Sequence, residues 1–361
     1  MDIGRIDAVN LNQNPKILLS GIKIKLIQMY LNRKSRNIFF LEVGRPKLPD
    51  WAERLNEYSG SLEVVTNGHL TEIPVTHYFT SRWIFSLRNV TIEPERGDVY
   101  SPRGQLIVES SNWHPYFPNP LRHRKNNRKI LSTPDSPYIV LASWAYFHFL
   151  IENLPLFLAA KNDFPHANVL IAKNSPRYLR DALDLLKIIP IEVGYQVTVD
   201  KLVMCSVGRD TGWAHPKDIS LVKAQFQPYI TEKVTGKSIY VARSRSMRSP
   251  LNEKDLIDSI SALGVEVIYA EELSLQEQIS RFSSCDLLIG IHGAGLSNQV
   301  WMQSGTTVIE ILDKQYFNIC FEVLAKVKGI IYESVIFDSK SSDSGIPVSE
   351  VLKKITLVQS T

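Results

Sequence analysis

The sequence predicts an α/β protein of two domains, and three observations carry that prediction. The chain has 361 residues, long for one domain and enough for two with separate cores. From Tyr138 onward, short apolar runs alternate with helical stretches of about ten residues, the pattern of βαβ units on a parallel sheet. One of those runs, Leu287–Ile291, opens directly into a glycine-rich turn. Ligands of such sheets bind outside the carboxyl ends of the strands.

The first hundred residues read as irregular, with short β-like runs at Leu62–Thr66 and Val99–Tyr100 and a strand over Gln105–Glu109. Asn112–Pro137, rich in Pro, Asn and Arg, reads as a long surface loop. Strands then follow at Tyr138–Ala142, Val169–Ala172 and Leu202–Cys205. Helices are expected over Ala145–Lys161, where Pro155 should kink or restart the chain, over Arg177–Lys187, and over Leu221–Val234. The second half alternates more cleanly. Strands fall at Ser238–Ala242, Val265–Tyr269, Leu287–Ile291 and Thr307–Leu312, the last closing the sheet. Helices fall at Asn252–Leu263, with Asn252 as cap, at Leu275–Ser283, and from Ser297 to Gln303. The domain reading is 1–215, 216–345 and a C-terminal helix or tail over 346–361.

Composition narrows the classes. Lys plus Arg number 41 against 37 Asp plus Glu, too small an excess to imply nucleic acid. Basic character is local instead. Six basic residues and no acid lie between Lys16 and Arg36, and Arg122, Arg124, Lys125, Arg128 and Lys129 crowd a second stretch with His123. Such runs are usually solvated faces; the functional alternative is contact with an anionic acceptor or lipid headgroups, and Arg122, Arg124 and Lys125 are the residues named for it. No run reaches the ~18–20 apolar residues of a membrane helix, and no cleavage site follows the N-terminal apolar stretch. Cys205, Cys285 and Cys320 fit no metal or disulfide spacing, so packed thiols in a reducing compartment are expected.

Three features could carry chemistry. Strand Leu287–Ile291 leads into His292-Gly293-Ala294-Gly295-Leu296-Ser297-Asn298, where Gly293 and Gly295 permit positive φ and close backbone approach, a setting that suits a phosphate. Glycines also serve tight strand–helix packing, and both readings stand at this point. Arg243, Arg245 and Arg248 follow strand Ser238–Ala242 and would meet that turn if the two strands are neighbours; arginine suits bidentate phosphate contact. His148 and Glu152, four apart among apolar residues, share a helix face, either as a buried bracing pair or as a carboxylate-oriented general base.

With these blocks in view, the sequence resembles glycosyltransferase family 61, whose bacterial members are called capsular polysaccharide biosynthesis proteins. His148-Phe149-Leu150-Ile151-Glu152-Asn153-Leu154-Pro155, Tyr240-Val241-Ala242-Arg243-Ser244 through Asn252-Glu253, and Ile291-His292-Gly293-Ala294-Gly295-Leu296-Ser297-Asn298 through Glu310-Ile311 carry the likeness. Ser297 stands where many members have Thr. The resemblance spans roughly Asn89–Leu312 and leaves the first ~85 residues unexplained.

The resemblance implies a GT-B architecture: two Rossmann-like domains with parallel sheets facing a cleft, the donor held mainly by the C-terminal one. It implies inverting transfer from a nucleotide sugar, expected to be UDP-linked, to a glycan or lipid-linked glycan in surface polysaccharide biosynthesis. No cofactor and no metal are expected, and the chain contains no Asp-x-Asp. Arg243, with Arg248, would then oppose the leaving diphosphate, and His292, Gly293, Ala294, Gly295, Leu296, Ser297 and Glu310 would line the donor pocket. His148 with Glu152 would deprotonate the acceptor, with His215 or Asp210 as the alternative base. The implied location is cytoplasmic, peripheral at the inner face of the plasma membrane. Two competing readings are a non-catalytic nucleotide-binding scaffold in polysaccharide assembly and an esterase using His292-Gly293-Ala294-Gly295 as an oxyanion loop. The esterase lacks its Gly-x-Ser-x-Gly elbow anywhere in the chain.

Overall fold

The computed structural model describes residues 38–39, 48–50, 52–59, 62–66, 75–79, 81–110, 129–133, 136–143, 145–207, 212–243, 252–341 and 345–360. The basic stretch from Lys16 to Arg36, the residues Arg122, Arg124, Lys125, Asp210 and Arg248, and most of the expected loop lie outside them.

The N-terminal half contributes β1 (Ile38–Phe39), β2 (Ala52–Ser59), β3 (Leu62–Thr66), β4 (Val75–Phe79), β5 (Arg82–Glu93), β6 (Asp98–Tyr100), β7 (Leu106–Ile107), β8 (Lys129–Leu131), β9 (Tyr138–Val140), β10 (Asn168–Ala172), β11 (Ile191–Val193) and β12 (Val197–Cys205). Ten of these form one open sheet, ordered β1-β7-β6-β5-β12-β9-β10-β11, with β2 also on β5 and β8 also on β12. β3 and β4 pair separately. The expected parallel sheet is present only in part. β9, β10 and β11 run parallel, but β12 pairs antiparallel with β5 from Val197↔Ile92 to Cys205↔Ile84, and β5 pairs antiparallel with β2 and β6.

The cause is β5, a twelve-residue strand in the region read as irregular. Its buried run breaks where Arg88 and Asn89 both face solvent, and Asn89 sits at φ 54, in the left-handed region. The register passes from Lys201↔Arg88 to Val199↔Val90 across that point. Ile84–Leu87 and Val90–Ile92 are buried without alternation on either side of the break, so no period-2 signature marks the strand.

The C-terminal half forms a second open sheet from β13 (Ser238–Val241), β14 (Glu266–Ile268), β15 (Leu287–Ile291), β16 (Thr307–Asp313) and β17 (Ile331–Phe337). All its pairs are parallel, in the order β14-β13-β15-β16-β17. β16 therefore does not close the sheet; β17 does. Every residue of β15 is buried, as befits a central strand covered on both faces. Strand order reverses between β13 and β15, the switch point where open α/β sheets hold their ligands.

The helices are α1 (Tyr146–His148), α2 (Leu154–Asp163), α3 (Arg177–Leu185), α4 (Pro216–Gln225), α5 (Glu253–Ser261), α6 (Leu275–Ser283), α7 (Cys320–Lys328) and α8 (Val348–Gln359). A π-helical turn, Phe149–Asn153, joins α1 to α2. The helix thus restarts at Pro155 as expected, with the proline in the first turn of α2. Pro155 has no N–H to give a preceding carbonyl, and the chain widens by one residue just before it, with Leu154 N–H bonding Phe149 O. Asn252 stands at the N-cap position of α5 but does not cap it; its side chain grips the backbone of Ile346 in both directions, at 2.9 and 2.8 Å. α8 packs on α5 and buries Val351 and Ile355 in the second sheet's core.

The two halves share a core. One apolar cluster runs from Phe149, Leu150, Phe157 and Leu179 to Ile279, Leu288, Trp301 and Leu324. α4, which follows the expected boundary at 215, packs on α2 and the π turn. It is fastened there by a buried ion pair: Arg82 on β5 donates from both terminal nitrogens to Asp218, at 2.7 and 3.0 Å, and Tyr58 donates to the same carboxylate at 2.8 Å. Removing one partner strands a buried charge. Asp218→Ala is therefore expected to lower unfolding free energy by about 3–5 kcal/mol, measured by urea denaturation against wild type.

Candidate active site

β13 carries the basic residue to the switch point. Its last turn of chain is fixed by Glu253, at the start of α5, whose Oε1 accepts from the Tyr240 hydroxyl at 3.0 Å and from the Arg243 backbone N–H at 3.2 Å. The spaced Tyr240…Arg243…Glu253 pattern is thus a clamp on the strand end. Because β13 and β15 are direct neighbours, Val241 standing beside Gly290, Arg243 emerges next to the glycine turn.

The glycines there act by leaving room, not by positive φ. Gly293 is extended, at φ 171, and a Cβ on it would fall on the Arg243 guanidinium. A Cβ on Gly295 would stand 2.6 Å from Val241 Cγ1, and one on Gly290 would stand 3.0 Å from Leu296 Cδ2. Strand, turn and arginine therefore approach as closely as they do only because three side chains are missing. The expected helix begins earlier and winds tighter than predicted, as a 3-10 segment over Ala294–Val300.

Along that turn the named residues divide. His292, Gly293, Ala294 and Gly295 reach the surface, whereas Leu296, Ser297 and Glu310 are buried. Leu296 packs into the shared apolar core. Asn298, quoted in the motif but not singled out, is the bracket of the turn. Its Oδ1 accepts from the Tyr146 hydroxyl at 2.8 Å, and its Nδ2 donates to Gln278 Oε1 and Gly295 O, each at 3.1 Å. One buried amide thus ties the turn to α1 and to α6.

Two histidine–carboxylate pairs flank this region. On β16, Glu310 is fully buried; its Oε1 lies 2.5 Å from His292 Nδ1, and its Oε2 accepts from the Tyr332 hydroxyl at 2.5 Å. Both oxygens are thus engaged within the protein. On α1 and the π turn, His148 Nδ1 lies 2.8 Å from Glu152 Oε2, while Glu152 Oε1 accepts from the Gly212 N–H at 2.5 Å. Each carboxylate sets the orientation of its imidazole.

The pairs are brought together by α7. Phe321 meets His292 edge-on at 5.1 Å between centroids and Phe147 at 5.5 Å, and Phe147 meets His148 at 5.2 Å. Cys320 lies within electrostatic reach of both carboxylates. Burial pushes its thiol well up, and Glu310 and Glu152 push it further, so it remains a neutral packed group. All three cysteines are buried and free. α7 and Tyr332 escaped the sequence reading because apolar and aromatic residues that support a site resemble any others in a core.

His215 is at the N-cap of α4, where Nδ1 accepts from the Lys217 N–H at 3.1 Å. Burial, with Arg82 and Lys217 beside it, pushes its pKa down to about 4. Among the described residues, no group of three or more His, Cys, Asp or Glu could hold a metal ion, and no helix is long and apolar enough to cross a membrane.

Two open α/β sheets, the second with its strand order reversing beside a basic strand end, make a GT-B-like pair of units. The glycosyltransferase 61 family matches residues 146–309, and the chain carries a domain of that family. The chain is similar to an EGF domain-specific O-linked N-acetylglucosamine transferase of Drosophila melanogaster, 27% identical over 30% of this chain and 21% of the relative. A beta-1,2-xylosyltransferase of Arabidopsis thaliana is 24% identical over 29% of this chain and 23% of its own length. An alpha-1,3-arabinosyltransferase of Oryza sativa subsp. japonica is 34% identical over 22% and 14%. The chain thus spans between 14% and 23% of the length of these relatives.

Asn298→Ala removes three hydrogen bonds and leaves the Tyr146 hydroxyl, Gln278 Oε1 and Gly295 O without that partner. At about 1 kcal/mol per bond plus the cost of the stranded groups, a loss of roughly 3 kcal/mol is expected in urea denaturation. A change under ~1 kcal/mol would show that the turn does not depend on the bracket.

Proposed function

We propose that the protein is a glycosyltransferase that moves a sugar from a nucleotide diphosphate donor, UDP-linked, to a glycan or lipid-linked glycan in surface polysaccharide assembly, by inversion and without a metal. The observation that carries the reading is the Arg243 guanidinium lying against the Gly293 backbone at the β13–β15 switch point. A guanidinium beside an uncovered backbone turn suits the two phosphates of a leaving nucleoside diphosphate, whose charge grows as the glycosidic bond to the sugar breaks. The names of the three relatives span three sugars, which supports a likeness in what such transfers have in common rather than in choice of sugar.

In this reading Arg243 bears on the diphosphate together with Arg248, the turn from Gly293 to Gly295 lines its path, and His292 stands at the entry. Leu296, Ser297 and Glu310 support that surface from behind, in keeping with their burial. His148 is the base. Its proton on Nδ1 faces Glu152, which directs the lone pair of Nε2 to an acceptor hydroxyl; removal of that proton lets the oxygen attack the anomeric carbon from the face opposite the leaving diphosphate. Glu152, held by Gly212, stabilises the imidazolium that forms. The basic run from Arg122 to Lys129 suits an anionic acceptor or a membrane surface.

Calorimetric titration with UDP, GDP and CDP tests the donor site. One of them is expected to bind with an affinity unchanged by EDTA, and Arg243→Ala should weaken it by about 1.5–3 kcal/mol, on the order of ten- to a hundredfold. Binding that is untouched in Arg243→Ala would move the donor elsewhere. For the base, His148→Ala should lower turnover by about 10²–10⁴-fold while donor affinity holds. Near-wild-type turnover in that variant would exclude His148.

A further inference from the structure

We infer that the ring of Tyr316 is the platform on which the nucleobase of the donor stacks, the part of the nucleotide that the phosphate turn does not engage. The inference rests on the donor-site reading above and extends it from the diphosphate to the nucleoside.

Tyr316 reaches the site from β16. That strand lies beside β15 with Ile311 level with Ile291, and the His292 N–H donates to Ile311 O at 2.9 Å. The chain leaving β16 therefore starts out next to the glycine turn. It winds at once into a short 3-10 turn, Lys314–Tyr316, which brings the tyrosine ring to 5.5 Å from the His292 ring, between centroids. The planes meet edge-on, at 62°, so neither ring lies flat over the other. Tyr316 is 54% exposed, an unusual setting for a large aromatic body unless a flat partner can use it.

The turn that carries the ring is fastened on both sides. Asp313 Oδ1 accepts from the Gln315 N–H at 3.0 Å and from the Ser339 N–H at 3.2 Å. Gln315 Nε2 donates to Asp338 Oδ1 at 2.8 Å, and the same oxygen accepts from the Lys340 N–H at 3.0 Å. Downstream, Asn318 Oδ1 accepts from the Cys320 N–H at 2.9 Å, at the start of α7. The backbone under Tyr316 is thus tied to the chain after β17 and to α7. Less freedom is lost when a ligand settles on a platform already held in place.

The sequence of ring contacts says which end of the donor meets it. Tyr316 meets His292, His292 meets Phe321, Phe321 meets Phe147, and Phe147 meets His148, at 5.5, 5.1, 5.5 and 5.2 Å. The proposed general base stands at one end of this series and Tyr316 at the other. Gly293, where the diphosphate is held, follows His292 between them. A donor gripped there turns its sugar to the His148 end, where the acceptor oxygen attacks. Its nucleoside leaves the phosphates in the opposite direction, toward Tyr316. A nucleobase is flat and conjugated and offers a face to an aromatic ring whatever its identity.

Calorimetry of the full chain with UDP, GDP and CDP, and with inorganic pyrophosphate as a probe without a nucleobase, tests this. For the nucleoside diphosphate that binds, Tyr316→Ala should weaken affinity about five- to 150-fold, the range of one base on one aromatic ring. Tyr316→Leu, which keeps apolar bulk but no aromatic face, should lose affinity as well, and Tyr316→Phe should bind as wild type does. Pyrophosphate affinity should be unchanged in Tyr316→Ala and lowered in Arg243→Ala. Nucleotide affinity unchanged in Tyr316→Ala, but lowered in Arg243→Ala, would overturn the inference and leave the donor site standing. Equal losses of nucleotide and pyrophosphate in Tyr316→Ala would also overturn it, by showing that the ring supports the turn. No binding of nucleotide or pyrophosphate by the wild-type chain would overturn the donor site, and the inference with it.

Discussion

The parallel pairing of β13 with β15 governs where every other part of the C-terminal half can stand. Val241 beside Gly290 fixes the two strand ends level with each other, so that Arg243 and Gly293 leave the sheet at one point. Strand order reverses there, which keeps the crossover helices of both directions clear of the spot. A missing side chain at each of Gly290, Gly293 and Gly295 lets the turn fold back onto β13. Shift the pairing by one residue and the arginine faces the opposite side of the sheet.

From that point the structure works outward through buried polar groups that hold its parts in place. Glu253 holds the β13 end, Asn298 holds the turn, and Glu310 holds His292. None of the three carries the proposed contact to ligand. They supply the rigidity without which an arginine and an imidazole at the surface would be two mobile side chains. The N-terminal half enters through Tyr146 and Phe147, which join its own histidine pair to the same turn and to α7. A shared apolar core beneath both sheets, rather than a flexible hinge, is what keeps the two pairs together.

Much of the second half was legible in the sequence because its strands are buried on both faces and read as unbroken apolar runs: β15 and α6 fall on the residues expected. β17 was not legible, since an edge strand such as Ile331–Phe337 mixes exposed and buried positions without a clean period. β5 was lost for the same reason at Arg88 and Asn89, and with it the antiparallel half of the first sheet. The π turn could not be read from composition, because it answers to a hydrogen bond that Pro155 lacks. In the candidate site, residue types that do chemistry stood out, while their supports did not. Tyr332 and Phe321 lie beyond the family match, and nothing local in sequence ties them to His292. Glycine was recognised in the right places for a second reason: closeness to a neighbour, rather than freedom of φ, is what Gly293 and Gly295 provide.

The account turns on a diphosphate seated at the β13–β15 switch point, and a crystal structure of the protein soaked with UDP tests it most directly. The account predicts phosphate oxygens within hydrogen-bond distance, about 2.7–3.2 Å, of the Arg243 guanidinium and of the backbone of the turn after Gly293. UDP bound elsewhere on the chain, with Arg243 still lying against an uncovered Gly293, would contradict it.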